Sequence, residues 1–310
     1  DSITNARTFV QIVKPQVAIF VKYEFWFNYL NVLSKAGIPT YFISVNIRPN
    51  HYFFKWYGGW ALKQLKKVTH FFVQNQSSSD LLNGAGITQN SITGDTRFDR
   101  VITIAKEAKE IPGIEKFCNA QFSLVAGSTW LHDEKIIAEA TIQINKINLN
   151  KGEPIIKLIV APHEIGEQRV QEIERCFTKE KCIRYSKIDE STNLQQSEVL
   201  IIDSIGMLSA LYKYASIAYI GGGFGKGIHN VLEAAVFGKP LIFGPNFKKF
   251  EEAKSLKRLG AATSINNAED CLNAITELYL NQKKYREQGL ISQNFVHDNS
   301  GAVMKILQQI

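Results

Sequence analysis

Five glycines crowd into seven positions, Gly221, Gly222, Gly223, Gly225 and Gly227, between the apolar run Ile217–Ile220 and the segment His229-Asn230-Val231-Leu232-Glu233, whose spacing is helical. Strand, bare main chain and helix start, in that order, suit a phosphate. Glycine allows positive φ and close approach of the backbone, and a first helical turn presents unpaired N–H groups with a partial positive charge. Glu233 falls one turn beyond Asn230 on the same face, where a carboxylate can accept hydrogen bonds from the two hydroxyls of a ribose. The plainer alternative is a tight turn of an α/β sheet followed by an ordinary surface glutamate.

Other residues could complete such a site. Glu24 follows the apolar run Val17–Val21 and precedes Trp26. If that strand is buried, the carboxyl pKa rises and the group can assist proton transfer, whereas a glutamate that merely caps the next helix would do neither. Arg97 offers either a fixed positive charge for a developing anion or a solvated turn cation. Ser128 and Thr129 end an apolar run as hydroxyls for a ligand or as helix caps. His163 follows another such run.

These residues need elements to hold them. Residues 17–21, 40–45, 70–74 and 91–95 are β-rich and separated by helix-like segments, the rhythm of a parallel sheet. After a charged stretch at 105–119 the rhythm resumes at 122–128, 156–162, 182–186, 198–203, 217–222 and 240–245. Two doubly wound sheets are expected, with ligands beyond the carboxyl ends of the strands, where Ser128, His163, Asp203 and the glycine loop fall. Residues 145–151 read as an exposed polar turn. Helices are expected at 5–13, about 269–279 and 283–307.

The chain has 310 residues, 45% hydrophobic and 21% charged, enough for two ordinary domains. Its 36 Lys and Arg against 29 Asp and Glu give a net charge of +7, which favours anionic partners without choosing among nucleotides, phosphorylated lipids, nucleic acid or a membrane surface. Cys118, Cys176, Cys182 and Cys271 show neither CxxC spacing nor a disulfide pattern, which fits a reduced, cytosolic setting. No apolar run approaches the ~20 residues of a membrane span, and residues 1–8 lack the layout of a signal peptide. The segment 51–67 interleaves six aromatics with four lysines. It suits either a phospholipid headgroup layer or a helix with aromatics in the core and lysines in water. No nucleic-acid motif is present.

The run from Asp203 to Ala253 resembles the donor-binding region of the bacterial 3-deoxy-D-manno-octulosonic acid (Kdo) transferases. Upstream, KYEFWFN (22–28) is similar to that family's ETELWPN segment, VNIRPN (45–50) to NARLS, FVQNQSSSDLL (72–82) to AQNEED, GDTRFD (94–99) to GxxKFD and GSTWLHDE (127–134) to STHEGEE. These matches are collinear over nearly the whole chain. The resemblance implies a GT-B fold, α/β, with two Rossmann-like doubly wound domains facing a cleft, the first incomplete. The domains expected are an acceptor-side domain at 1–110, a CMP-sugar donor domain at 111–288 and a C-terminal helix at 289–310 closing the structure.

The activity implied is inverting, metal-independent transfer of Kdo from CMP-Kdo to a lipid A precursor, lipid IVA, in lipopolysaccharide biosynthesis. It is placed at the cytoplasmic face of the bacterial inner membrane, peripheral in this fragment and anchored in the full-length family. No cofactor, metal or nucleic acid is implied. The resemblance assigns transition-state roles to Glu24 and Arg97, Arg97 standing where the family has lysine. It assigns the CMP-Kdo site to Ser128, Thr129, Pro162, His163, Ile205, Gly206, Met207, Gly222, Gly223, Lys226, Asn230, Val231, Leu232 and Glu233. Three departures matter. Ala161-Pro162-His163 stands where the family has Pro-Arg-His, Ile205-Gly206-Met207 replaces a Met-Gly-Glu step, and Trp130 replaces a histidine. The family's catalytic base, a glutamate upstream of the ETELWPN match, and its membrane anchor lie outside the sequence, so the fragment is expected to bind CMP but to be nearly inactive. A UDP-N-acetylglucosamine 2-epimerase-like enzyme and an inactive nucleotide-binding fragment are the alternatives.

Overall fold

The computed structural model describes residues 1–177, 181–189 and 191–310, and these divide into two compact units, 1–100 with 299–310 and 101–298. The first contains α1 (Ile3–Val13), β1 (Ala18–Val21), α2 (Phe27–Lys35), β2 (Thr40–Val45), α3 (Gly59–Leu65), β3 (His70–Val73), α4 (Gln76–Gly84), β4 (Asn90–Ile92) and the start of α5 (Thr96–Glu107). Its four strands are all parallel in the order β1-β2-β3-β4, as βαβ connections require. Aromatic rings form much of its core. Phe42 of β2 stacks on Phe20 at 5.1 Å, Phe71 at 5.2 Å and Phe25 at 5.4 Å between ring centres, with Phe53 edge-on to Phe25. The strand expected to be buried, β1, is instead a sheet edge whose residues alternate between half-buried and exposed.

The second unit contains α6 (Ile114–Cys118), β5 (Ser123–Thr129), α7 (Leu131–Lys151), β6 (Lys157–Pro162), α8 (Glu167–Glu174), β7 (Cys182–Arg184), β8 (Val199–Ile201), α9 (Leu208–Leu211), β9 (Ile217–Ile220), α10 (Leu232–Ala235), β10 (Leu241–Phe243), α11 (Glu251–Arg258), β11 (Ala262–Ser264), α12 (Ala268–Leu280) and α13 (Gln282–Asp298). α14 (Ala302–Leu307) returns to the first unit. The seven parallel strands run β11-β10-β9-β5-β6-β8-β7. From β5 the chain winds one way through β6 and then comes back to β9 on the other side. The switch point is therefore the gap between β5 and β9, where doubly wound sheets open a crevice at their carboxyl ends. Strand residues 158–160 and 217–220 are completely or almost completely buried, which accounts for their unbroken apolar character.

Two expectations about elements need correction. Residues 145–151 are no turn but the end of α7. There Asn145 and Asn148 are buried, and their amides pair with the main chain at Ile156 and Pro154, so polar residues are satisfied inside rather than exposed. The C-terminal helix breaks at residues 299–301, where Gly301 takes φ +97°, giving α13 and α14. The compact units divide between Arg100 and Val101, within α5, and again between Asp298 and Asn299, whereas the sequence placed boundaries at 110 and 288. β11, three residues with little apolar pattern, was not anticipated at all.

Candidate functional site

At the switch point the glycine loop and the end of β5 fold against each other. Gly221 N–H donates to the Gly127 carbonyl at 2.9 Å, and a Cβ on Gly221 would stand 2.2 Å from the Ser128 carbonyl oxygen. A Cβ on Gly223 would stand 2.6 Å from Gly244 N, and Gly222, at φ +87°, arches over the Gly227 carbonyl. The bare main chain is thus demanded first by contact with its own neighbours. Ser128 itself takes φ +53°, at the register shift between β5 and β6.

One buried carboxylate holds this junction. Asp133, 1% exposed in the first turn of α7, accepts from Tyr219 O–H at 2.8 Å through Oδ1, and from Gly222 N–H at 3.0 Å and Trp130 N–H at 2.9 Å through Oδ2. It joins β9, the glycine loop and the β5–α7 turn. Burial, and next the Asp133 charge, push the Tyr219 phenol far above its ordinary pKa, so it remains a donor. Beside it Glu134 is fully buried, accepting from Thr129 Oγ1 at 2.7 Å and pairing with Arg169. Burial raises its pKa, while the Thr129 and Arg169 hydrogen bonds oppose the rise.

Three rings line the mouth. His163 lies 4.8 Å from Trp130 and 4.7 Å from His229, centre to centre, and Trp130 Nε1–H reaches His229 Nε2 at 3.4 Å. An indole nitrogen only donates, so His229 Nε2 is the acceptor and that ring is neutral in this arrangement. Burial, followed by the charge of His163, lowers the His229 pKa. On the adjoining side Glu233 Oε1 accepts from Asn230 Nδ2 at 2.9 Å and Oε2 from Ser209 Oγ at 2.6 Å. A carboxylate spread between two small polar groups at a strand-end crevice can exchange those bonds for a vicinal diol.

The helix expected to open at His229-Asn230 begins only at Leu232 and spans four residues. His229 N–H is drawn back to the Gly221 carbonyl at 3.1 Å, which keeps residues 228–230 out of the helix, and Asn230 Oδ1 instead receives Leu232 N–H. A four-residue helix has little macrodipole, so anion binding here falls to individual donors. Val231 and Leu232 are buried, which leaves only their main chain for a ligand. Thr129 is likewise buried, and its hydroxyl is committed to Glu134, making it a support for the site. Pro162 pairs across from Thr129 in the ladder, and the exposed His163 follows it. Ile205 is 85% exposed, Gly206 turns at φ +88°, and Met207 Sδ accepts from Ser204 Oγ. Lys226 is exposed near the tip of the loop that starts with Gly222 and Gly223.

The remaining two site residues lie in the first unit. Glu24 is exposed, accepting from Trp26 Nε1 at 2.8 Å, so the burial expected around it is missing. Arg97 Nε and N both donate to Asp95 at 2.9 Å, and Lys22 Nζ lies 3.8 Å from the same carboxylate. Asp95, 5% exposed, also accepts from Gln74, while Ser44, at φ +54°, joins Thr96 by two hydrogen bonds. A charged network thus occupies the carboxyl ends of β1 to β4. Asp133, Ser209 and Asp95 were not singled out from sequence, where Trp130 entered only as a departure from the resembled segment and His229 only as the start of a helix. Only Asp133 carried a signal, as the carboxylate three residues after the helix cap Trp130. Among the described residues no group of three or more His, Cys, Asp or Glu is placed to hold a metal ion.

Residues 1–100 match the model of the family described as 3-Deoxy-D-manno-octulosonic-acid transferase (kdotransferase). The chain is 28% identical to the 3-deoxy-D-manno-octulosonic acid transferase of Rickettsia typhi over 319 residues, covering 100% of this chain and 66% of that one. It is 25% identical to the enzyme of the same name from Haemophilus influenzae, covering 98% and 71%. The chain thus spans about two thirds of the length of curated relatives it matches. Among solved structures, the C-terminal CMP-Kdo binding domain of WaaA from Acinetobacter baumannii superposes with a TM-score of 0.51 at 18% identity, covering 64% of this chain and 98% of that one. UDP-GlcNAc 2-epimerase from Neisseria meningitidis, bound to UDP-GlcNAc, gives 0.64 at 15% identity over 99% and 78%. These likenesses establish the α/β GT-B fold.

Proposed function

We propose, for a chain that is a relative of the bacterial Kdo transferases along its whole length, that it is a glycosyltransferase that takes Kdo from CMP-Kdo and delivers it to a lipid A precursor. The observation that carries the donor reading is the Glu233 carboxylate held between Asn230 and Ser209 beside the switch point. There it accepts from the ribose hydroxyls, displacing Ser209 and Asn230, which turn to the ligand as further polar partners. The phosphate lies against the loop Gly222-Gly223 and the imidazole of His163, the arginine of the resembled segment being absent.

In the proposed inverting step the acceptor hydroxyl oxygen bonds to the anomeric carbon as the bond from that carbon to the CMP phosphate oxygen breaks. The acceptor gives up its proton and CMP leaves as an anion. The chain's part is to hold the nucleotide and favour the departing charge, which requires donors fixed before the reaction. Arg97, oriented by Asp95, and Glu24 are the first unit's candidates for stabilising charge and handling the proton. The site of action proposed is the cytoplasmic face of the inner membrane.

A second reading follows from the epimerase likeness, which covers 99% of the chain. It calls for UDP in place of CMP and for no lipid. Thermal unfolding separates the two. A ligand at 100 times its Kd adds about 2.7 kcal/mol to the folded state. CMP is expected to raise Tm more than UDP or UMP, and Glu233→Ala to remove most of the rise. Equal or greater stabilisation by UDP overturns the Kdo reading. In the full-length protein, Kdo transfer from CMP-Kdo to lipid IVA is expected, and turnover unaffected by Glu24→Ala would remove Glu24 from the mechanism.

A further inference from the structure

Beyond Glu233 and the ring stack, the second unit has a hollow of about 710 Å3 that those residues do not line. It lies where β9, β10 and β11 end. Gly225 and Lys226 enter it from the glycine loop, Lys248 and Lys249 from the segment after β10, and Lys257 from α11. Four lysines line it and, among the described residues, no acid does. Among the described residues no carboxylate lies within ion-pair distance of any of the four, although Lys254, on the same helix as Lys257, is paired with Glu251 at 2.7 Å. Lys257 is held with Nζ 4.9 Å over the Phe247 ring.

The frame that carries these charges is rigid. Asn246 N–H donates to the Gly223 carbonyl at 2.9 Å and its Nδ2 to the Gly225 carbonyl at 2.8 Å, locking the segment after β10 onto the glycine loop. Like charges gathered on a fixed frame repel one another, and that cost is offset when an anion sits among them. Strands lie ~4.8 Å apart, so the end of β11 is roughly 10 Å from the end of β9, where the nucleotide loop begins. A nucleoside monophosphate joined to a single sugar can bridge that span.

We propose that this hollow is the acidic-group subsite of the donor pocket, its lysines taking the carboxylate of a nucleotide-linked sugar acid whose nucleoside is held at Glu233. The inference rests on the donor reading given above and adds to it the feature that selects an acidic sugar over a neutral one. An ammonium group paired with a carboxylate forms a charge-assisted hydrogen bond, stronger than a neutral one.

Calorimetric titration of the protein with CMP and with CMP-Kdo, for wild type and for Lys248→Ala/Lys249→Ala, tests it. Wild type is expected to bind CMP-Kdo about tenfold more tightly than CMP, a gain of ~1.4 kcal/mol that shrinks with added salt. The double variant is expected to keep the wild-type Tm and the wild-type affinity for CMP while losing most of the preference. A variant that keeps the full preference, or a wild type that binds CMP and CMP-Kdo equally, overturns the subsite and leaves the nucleotide site standing. Wild type that binds neither overturns both. Inorganic phosphate that binds at Lys248 and Lys249 without competing with CMP-Kdo assigns the hollow to free phosphate and also overturns it.

Discussion

Asp133 is the residue on which the site's geometry turns. Three donors from three elements converge on its two oxygens, and the carboxylate is almost completely buried. Replacing it with alanine leaves the Tyr219 hydroxyl and the N–H groups of Gly222 and Trp130 without partners, each unmade bond costing ~1–3 kcal/mol. Asp133→Ala is therefore expected to destabilise the protein by about 3 kcal/mol or more in urea unfolding, and to weaken CMP binding even where the fold survives, because the glycine loop loses its tether. A loss below about 1 kcal/mol would mean that the three donors find other partners. Glu233 contrasts with it, being half-buried and bonded only to side chains that can let go. One carboxylate builds the site and the other is free to meet a ligand.

At the scale of elements, α7 shows how a polar sequence becomes an interior helix. Asn145 Nδ2 and Oδ1 bond the carbonyl and N–H of Ile156, just ahead of β6, at 3.1 and 2.8 Å, and Nδ2 also reaches Glu198. The side chain thus closes the loop between α7 and β6 in the way a strand partner would. Asn145→Ala is expected to cost about 1–3 kcal/mol of stability, measured by chemical unfolding, with nucleotide binding unchanged. An exposed turn residue would show almost no change. The glycine loop makes the complementary point: its bare backbone serves the crossing of β5, β9 and β10 before it serves a ligand. Those close contacts fix the loop, so any phosphate donors it offers are arranged in advance.

For the whole molecule, the basic and aromatic segment 51–67 bears on where the protein works. Phe53 is buried in the first unit's core, but Trp56 is 95% exposed and Tyr57 and Trp60 are exposed beside Lys55 and Lys63. The core reading therefore fits Phe53, and the exposed set is what a headgroup-docking role would use. Among the described residues no helix is long and apolar enough to cross a membrane. Peripheral attachment through this patch predicts sedimentation with anionic vesicles that weakens with salt and falls further in Trp56→Ala/Trp60→Ala. Equal sedimentation of the variant would remove the patch from that role.

The alternation of β-rich runs and helical segments was enough to establish two parallel sheets, because strands buried on both faces, as in the second unit, show as continuous apolar runs. The strand order, sequential in the first sheet and reversing in the second, came from the structure. The order of motifs likewise pointed to the Kdo transferases, since spacing along the chain survives divergence. What the sequence could not state was which polar groups meet. Asp133 reaches Gly222 across 89 positions and Ser209 reaches Glu233 across 24, and contacts between such distant residues depend on strand order, which no local pattern encodes. Only the tertiary structure decided that Thr129 is sealed inside, that the helix after the glycines starts at Leu232, and that four lysines line one hollow beyond β10. Local periodicity is a property of neighbours in the chain, whereas a site is a property of neighbours in space.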